Sequence, residues 1–363
     1  RAGFCARSGL LVVHLAPLFA FIFVIFIKHV LLQKDCLALI DTFNRTINYI
    51  RISLTEECNF ACLYCMPEGS KPTADLGKVI NFENLLLFLK VAVKNGVNKI
   101  RFSGGEPLLY RDLEKLIYEL KSFAPDTKVA LTTNASLLAP RAMALKEAGL
   151  SSINISLDSI DPIRAQKIAQ KNVLDKVLSG IYSAKEAGLD MKLNTVLLRG
   201  FNDDQIFDLL HFARELNAPL RFIEYMPNIH ASSKITGIRT QELMEIIALK
   251  FNFKALSFAD PNATALYFEI TDKNDVQKKQ HFGVICAQSS DFCKRCNRIR
   301  LTSKGLIYPC LYFKDSVDIA KALVSKDEKA IKSGLELAVF NKPEKNLWDI
   351  DAPSSRAFYE TGG

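Results

Sequence analysis

The chain has 363 residues, of which 49% are hydrophobic and 24% charged, and this composition excludes a collagen, a coiled coil or a wholly disordered protein. The formal net charge is +8, but four basic residues precede the first acid, Asp35, so the rest of the chain is only mildly basic. The sequence has no long stripe of Lys and Arg with interleaved aromatic residues, and we therefore expect no nucleic-acid partner.

The first 40 residues contain a nearly continuous apolar run from Leu10 to Leu32, with a core of 13 residues between Leu15 and Ile27. This core is shorter than the roughly 20 residues that a membrane-spanning helix needs. The first methionine is Met66. We interpret residues 1–40 as a non-functional extension, with a membrane anchor through residues 10–32 and a signal or transit segment as the alternatives.

After Asp41, short β-rich runs alternate with amphipathic segments. The β-rich runs predict six strands, Tyr49–Leu54, Lys99–Ser103, Lys128–Thr132, Ser152–Leu157, Lys192–Leu197 and Arg221–Tyr225. The amphipathic segments predict helices at Phe82–Asn95, Asp112–Phe123, Leu138–Ala148, Val173–Ala187 and Asp203–Leu216. Six successive βα units predict an α/β fold, an incomplete (β/α)6 TIM-like barrel with functional residues at the carboxyl ends of its strands.

Beyond Met226 the alternation stops, and one further helical stretch follows at Gln241–Lys250. The sequence therefore predicts three parts: the extension at 1–40, the partial barrel at 41–230, and a smaller C-terminal domain at 231–363.

The nine cysteines are an odd number, which a fully paired disulfide scaffold would not show, and six of them form two triplets with metal-ligand spacing. This pattern indicates a reducing compartment, so we expect a cytoplasmic protein. Cys5, Cys36 and Cys286 are interpreted as free or buried thiols.

The first triplet, Cys58, Cys62 and Cys65, follows the first predicted strand with the spacing C-x3-C-x2-C. Three thiolates can bind three irons of a [4Fe-4S] cluster and leave the fourth iron open, whereas a structural zinc site usually needs four ligands. The spacing, with Tyr64 before the third cysteine, resembles the radical S-adenosylmethionine (SAM) superfamily. A second mark of that superfamily is the GGEP segment that begins at Gly104.

In the resembling superfamily, SAM binds the open iron and is cleaved to a carbon radical. The resemblance implies four residues that surround SAM here: Tyr64, Gly105, Ser156 and Met226. A glycine pair after a strand is alone a weak signal, usually a turn, and Met226 taken alone would more often belong to a core.

The second triplet, Cys293, Cys296 and Cys310, has the spacing C-x2-C-x13-C. A zinc ribbon lacking one cysteine is the alternative. The surrounding sequence, CNRIRL followed eight residues later by CL, is similar to the auxiliary cluster motif of the GTP 3′,8-cyclase family, also called molybdenum cofactor biosynthesis protein A. The resemblance implies a second [4Fe-4S] cluster whose open iron binds the guanine ring of GTP.

The same resemblance implies which residues bind GTP, and they are Arg51, Arg101, Thr132, Lys192, Arg298 and Arg300. Guanidinium groups suit a triphosphate because they form paired, charge-assisted hydrogen bonds with its oxygens. In this family a terminal Gly-Gly enters the active site, which assigns catalytic roles to Gly362 and Gly363 beside Arg51, Arg298 and Arg300. Taken singly, each charged residue is more often a solvated surface group.

As the resemblance implies, the enzyme converts GTP to (8S)-3′,8-cyclo-7,8-dihydroguanosine 5′-triphosphate in molybdenum cofactor biosynthesis. The implied partners are a reductant such as flavodoxin or ferredoxin, a downstream cyclic pyranopterin monophosphate synthase, and a second copy in a homodimer. Two alternatives stay open: a peptide-modifying radical SAM enzyme with an auxiliary cluster, and a membrane-anchored iron–sulfur electron carrier.

Overall fold

In a computed structural model, the described residues are 38–66, 79–228, 230–232, 235–257, 262–277, 279–286, 292–345 and 357–362. Contacts divide the chain into Arg1–Leu37 and a second compact unit, Ala38–Gly363. The interpretation of residues 1–40, and of Cys5 and Cys36 within them, therefore falls almost wholly outside the described residues. Within the described ranges no helix combines the length and the apolar character needed to cross a membrane.

The first six strands occur where the sequence predicts them, with ends that differ by at most two residues. They are β1 (Tyr49–Ser53), β2 (Lys99–Ser103), β3 (Lys128–Thr133), β4 (Ser152–Ser156), β5 (Met191–Val196) and β6 (Leu220–Ile223). Later strands are β7 (Phe251–Ala255), β8 (Leu266–Asp272), β9 (Lys279–Ile285), β10 (Arg298–Leu301), β11 (Leu306–Tyr308) and β12 (Val317–Asp318).

Helices connect the strands of the barrel and follow its end. They are α1 (Phe82–Lys94), α2 (Leu113–Phe123), α3 (Ala142–Glu147), α4 (Pro162–Ala169), α5 (Leu174–Glu186), α6 (Ile206–Glu215), α7 (Thr240–Lys250), α8 (Ala320–Val324), α9 (Glu328–Phe340) and α10 (Phe358–Thr361). The predicted helix at Leu138–Ala148 is wrong at its start, because Pro140 lacks an N–H and residues 136–141 form turns before α3. Helix α4 was not predicted, although Asp161 caps it and Pro162 begins it.

All twelve strands form one open sheet, ordered β12-β11-β10-β1-β2-β3-β4-β5-β6-β9-β8-β7. Strands β1 to β6 are parallel neighbours, as the predicted incomplete barrel requires, and β10 and β9 add to its two edges in the same direction. The C-terminal region thereby covers backbone groups that a six-stranded sheet would leave unpaired at both edges. The predicted division near residue 230 stays a prediction.

The two faces of the barrel sheet differ in polarity. Ile50 and Ile52 of β1, and Ile100 and Phe102 of β2, are buried in the apolar core beneath the helices. The alternating residues face the other way and line an internal cavity. Because side chains alternate across a strand with a period of two, one face can build the core while the other builds a polar site.

Candidate active site

One cavity of about 1030 Å³ lies on the inner face of the sheet, and all six cysteines of the two triplets line it. This volume lies at the upper end of what ligand pockets enclose, which suits more than one bound molecule. The other predicted site residues on its wall are Arg51, Tyr64, Arg101, Gly105, Thr132, Ser156, Lys192, Met226, Arg298, Arg300 and Gly362. Gly363 lies outside the described residues. The individual roles of these residues stay predictions, but one cavity holds them together.

The first cysteine triplet lies on the loop that leaves β1. Main-chain bonds from Ala61 to Ala169 O (3.1 Å) and from Leu63 to Ile168 O (3.1 Å) fasten this loop to the end of α4. Burial raises the pKa of Cys58 to about 11 and that of Cys65 to about 12. The loop therefore disfavours free thiolates, and a bound cation is what would stabilise them.

The donor set of each triplet fits an iron–sulfur cluster. Among the described residues, no three His, Cys, Asp or Glu side chains gather closely enough to hold a single metal ion. Each triplet instead presents three thiols to the cavity, and the described residues that line it include no histidine and no further cysteine. Three thiolates and one open position suit a [4Fe-4S] cluster that takes a small-molecule ligand.

The glycine pair after β2 is needed because two backbone segments touch. Gly105 N donates to Thr55 O at 2.7 Å, and a Cβ added to Gly105 would lie 2.1 Å from Glu57 O. Gly104 has a φ of +151°, and its added Cβ would lie 2.5 Å from Thr55 O. The glycine pair therefore lets the end of β2 pack closely against the segment that leads into Cys58.

Two buried carboxyl groups border the first triplet. Tyr64 donates its hydroxyl to Asp158 Oδ2 at 2.7 Å, and burial raises the pKa of Asp158 to about 6. Glu106 accepts bonds from Thr133 Oγ1 (2.6 Å) and Asn134 N (2.8 Å), and burial raises its pKa to about 7. Both carboxyl groups are therefore fixed by hydrogen bonds and are more readily protonated than a carboxyl in water.

The second cysteine triplet has a cationic environment. Cys293 belongs to a short 3-10 turn at Phe292–Arg295, and Arg298 Nη2 lies 3.7 Å from Cys296 Sγ. Burial opposes ionisation of Cys296, but the charges of Arg298 and Lys342 outweigh it and lower the pKa of this thiol to about 6. Here the thiolate is favoured by neighbouring cations before any metal is considered.

Two buried cations that the sequence analysis missed hold the loops of the second triplet. Arg45 pairs with Asp41 at 2.6 Å and donates from Nη1 to Cys293 O at 2.7 Å, across 248 positions of sequence. Lys342 donates to Arg298 O (2.8 Å) and Pro309 O (2.7 Å). No local pattern marks either residue, because their partners come from distant parts of the chain.

Three arginines form a row across neighbouring strands. In the sheet register, Arg51 of β1 stands between Arg300 of β10 and Arg101 of β2. Burial and then the charge of Arg300 lower the pKa of Arg51 well below its usual value. Its buried Nε has no hydrogen-bond partner in the described structure. Neighbouring strands lie about 4.8 Å apart, so guanidinium groups in this register repel one another. A bound anion would offset that repulsion.

Arg221 of β6 is a further cation on the cavity wall that the sequence analysis did not select. Its Nε donates to Asn194 Oδ1 at 2.9 Å, whereas its buried Nη2 has no partner in the described structure. Gly283 of β9 stands opposite, and a Cβ there would lie 2.9 Å from Arg221 Cγ. Arg221 alternates with the buried Leu220 and Phe222 along β6, but this pattern alone does not show that its face borders a cavity.

The C-terminal tail enters the same cavity. Arg300 Nη1 donates to Thr361 O at 3.0 Å and to Gly362 O at 2.7 Å. Gly362 has a φ of +67°, and an added Cβ would lie 2.0 Å from Ser103 Oγ. A residue with a side chain would not fit this place without displacing the end of β2.

Comparison with known proteins identifies the class. Residues 52–213 match the Radical SAM superfamily, and residues 218–348 match Molybdenum Cofactor Synthesis C. The fold is similar to that of Streptococcus suis SuiB bound to S-adenosylmethionine, with a TM-score of 0.59, 14% identity and coverage of 90% of this chain and 78% of that one. It is also similar to native anSMEcpe with bound AdoMet and Kp18Cys peptide, with a TM-score of 0.52, 16% identity and coverage of 82% and 81%. The fold and the cysteine-lined cavity are those of a radical SAM enzyme.

Curated relatives narrow this class. The chain is 44% identical over 328 residues to the GTP 3′,8-cyclase of Campylobacter lari, covering 90% of this chain and 100% of the relative. It is 42% identical over 327 residues to that of Helicobacter pylori, with the same coverage. The chain belongs to the GTP 3′,8-cyclase family.

Proposed function

We propose that this chain is a GTP 3′,8-cyclase of molybdenum cofactor biosynthesis that holds SAM and GTP together in the one cavity. The row of Arg300, Arg51 and Arg101, in the cavity that both cysteine triplets line, carries the proposal. A buried row of guanidiniums is costly unless a polyanion occupies it, and a triphosphate supplies that charge.

The residues that would hold the cofactors follow from the donor sets. Cys58, Cys62 and Cys65 would hold the cluster that binds SAM, and Cys293, Cys296 and Cys310 would hold a second [4Fe-4S] cluster. When bound, the first cluster and SAM supply a carbon-centred radical that accepts a hydrogen atom from the nucleotide ribose. Tyr64, Gly105, Ser156 and Met226 would surround SAM on the wall beside the first triplet.

The substrate is held by charge and by placement. The arginine row, with Lys192 and Arg221 of the same cavity lining, neutralises the triphosphate, while Thr132 adds a hydroxyl near the end of β3. GTP loses its 3′ hydrogen atom, C3′ bonds to C8 of guanine, and the product takes up one electron and one proton. Fixing the nucleotide brings the two carbons of one molecule into bonding range.

The tail completes the wall of the cavity on the side of Arg300. Bonds from Arg300 to two main-chain oxygens hold Thr361 and Gly362 in place, and both residues are buried. A closed wall keeps water away from a reactive carbon and strengthens the charge interactions inside. We infer that Gly362 acts by shaping this wall, and the catalytic role expected of Gly363 belongs to the same proposal. The reductant, flavodoxin or ferredoxin, the homodimer and the synthase downstream belong to the same proposal.

The test is anaerobic turnover of the reconstituted protein. With SAM, dithionite and GTP, we expect 5′-deoxyadenosine, methionine and a GTP-derived product of cyclised mass, detected by liquid chromatography and mass spectrometry. Reactions with ATP in place of GTP, and without SAM, are the controls. Formation of 5′-deoxyadenosine with no nucleotide product would reduce the assignment to a general radical SAM enzyme, and an iron content near four per chain would exclude the second cluster.

A further inference from the structure

Tyr49 is the phenol in the middle of the cation cluster, and the reaction just described gives it no role. It lies on β1, is 8% exposed, and lines the cavity. In the sheet register it stands between Arg298 of β10 and Lys99 of β2. The cations that face it are therefore Arg298, Lys99 and Arg101 from the neighbouring strands, and Arg51 from its own.

The hydroxyl of Tyr49 fixes one of these cations. Arg101 donates from Nε to Tyr49 Oη at 2.7 Å. Its Nη1 donates to Leu131 O (2.9 Å) and to Thr132 Oγ1 (3.1 Å). Nη2 makes no hydrogen bond with the described residues and belongs to a side chain on the cavity wall. Three bonds thus hold the guanidinium and leave one edge for a ligand.

We propose that Tyr49 is a positioning residue that sets the orientation of Arg101, so that Nη2 meets a phosphate oxygen of the nucleotide. This inference rests on the proposed function, because it assumes that a nucleotide triphosphate occupies the cavity. A planar guanidinium binds phosphate best when its plane is already fixed, because less side-chain freedom is then lost on binding. The ring of Tyr49 also holds Lys99, whose Nζ lies 4.9 Å from the ring centroid.

The same surroundings make the position sensitive to pH. Burial opposes ionisation of Tyr49, but the charges of Arg101, Arg51 and Arg298 prevail and lower its pKa to about 7. Above that pH the phenolate adds a negative charge among the groups that bind phosphate. Affinity for the triphosphate should therefore fall as pH rises through about 7. A variant without the Tyr49 hydroxyl should not show this decrease in affinity.

The test is GTP binding to the anaerobically reconstituted protein between pH 6 and 8.5, measured by equilibrium dialysis for wild type, Y49F, R101K and the double variant. At pH 6 we expect Y49F to bind GTP about tenfold more weakly, the loss typical of one hydrogen bond to a charged group. The deficit should shrink above pH 7. In the R101K background Y49F should add little, because its effect passes through Arg101.

Matched measurements separate the possible failures. Tyr182, an exposed tyrosine on α5, gives the control variant Y182F, which should bind GTP like wild type. If wild type itself does not bind GTP, the proposed function fails. If wild type binds and Y49F binds equally well at every pH, or Y49F costs as much in the R101K background, the role of Tyr49 is refuted.

If Y49F does not fold, its iron content will be low, and a second variant at position 49 then tests the proposal. Difluorotyrosine at position 49 keeps the ring and the hydroxyl but ionises at lower pH. It should move the midpoint of the affinity profile to lower pH, and an unmoved midpoint would overturn the proposal.

Discussion

The two cysteine triplets lie in one cavity but are built in different ways. The first lies on a single loop after β1, fastened by main-chain bonds and bordered by the buried carboxyls of Asp158 and Glu106. The second draws Cys310 from beyond β11, and the cations Arg298 and Lys342 favour its thiolate. Burial raises thiol pKa values at the first triplet, whereas charge lowers one at the second.

This difference indicates how the cavity divides its work. We expect the end bordered by the two carboxyls to hold SAM, whose sulfonium is cationic and whose reacting bond must be placed accurately. The cationic end suits a nucleotide, whose triphosphate needs neutralisation. Substitutions at the two ends should therefore impair different steps, SAM cleavage at the first triplet and nucleotide cyclisation at the second.

Removing either triplet should have the largest effect. Replacing Cys58, Cys62 and Cys65 together by Ala should abolish SAM cleavage and leave about four irons at the second site. Replacing Cys293, Cys296 and Cys310 should leave SAM cleavage and abolish the cyclised product. Iron content and 5′-deoxyadenosine assays on both variants check this. Loss of all iron from either variant would show that the two sites do not assemble independently.

Truncating Arg300 should weaken cyclisation of GTP while SAM cleavage continues. Arg300→Ala removes the donor to Thr361 and Gly362 and one cation of the row, and a charge-assisted hydrogen bond is worth about 1.5–3 kcal/mol. We expect kcat/KM for GTP to fall roughly 10- to 150-fold, while 5′-deoxyadenosine still forms. Deleting Gly362 and Gly363 is the companion variant. An unchanged ratio of 5′-deoxyadenosine to cyclised nucleotide in both would contradict the assigned roles.

Glu106→Gln, beside the first cysteine triplet, should change how the free energy of unfolding depends on pH. Burial raises the folded-state pKa of Glu106 from 4.5 to about 7, so the folded state binds its proton more tightly than the unfolded state. The resulting stabilisation is complete below pH 4.5 and is lost as pH rises through 7. Relative to the Gln variant, wild type should lose about 3 kcal/mol of unfolding free energy over this range. Denaturant unfolding at several pH values measures it, and parallel curves would refute it.

Of these variants, Gly105→Ala should have the smallest effect on stability. It also acts near the first cysteine triplet. The added methyl meets Glu57 O, and relief of such overpacking typically costs about 1–3 kcal/mol. We expect a lower melting temperature and a poorly loaded first cluster. Gly188→Ala controls for backbone strain alone, since its φ of +64° disfavours any side chain although nothing lies within 4 Å of the added Cβ. Equal iron content in the two variants would show that Gly105 does not position the Cys58 loop.

The sequence was sufficient for features that are local. The alternation of β-rich and amphipathic runs predicted β1 to β6, and cysteine spacing identified both triplets. The roles of Arg45 and Lys342 could not be predicted, because each acts through carbonyl groups that only the folded chain brings near. Arg221 and Tyr49 were missed for another reason: alternation shows which strand residues share a face, but not that the face surrounds a cavity.

The pairing of β1 with β10 also constrains the order in which this protein folds. Tyr49 pairs with Arg298, about 250 residues further along the chain. Contacts this distant form slowly, so β1 waits with an open edge while the ribosome completes the C-terminal region. The first cysteine loop is then synthesised long before Arg45 can reach Cys293. The loop after β1 therefore exists well before the surroundings of the second triplet, which form only when the last strands have docked.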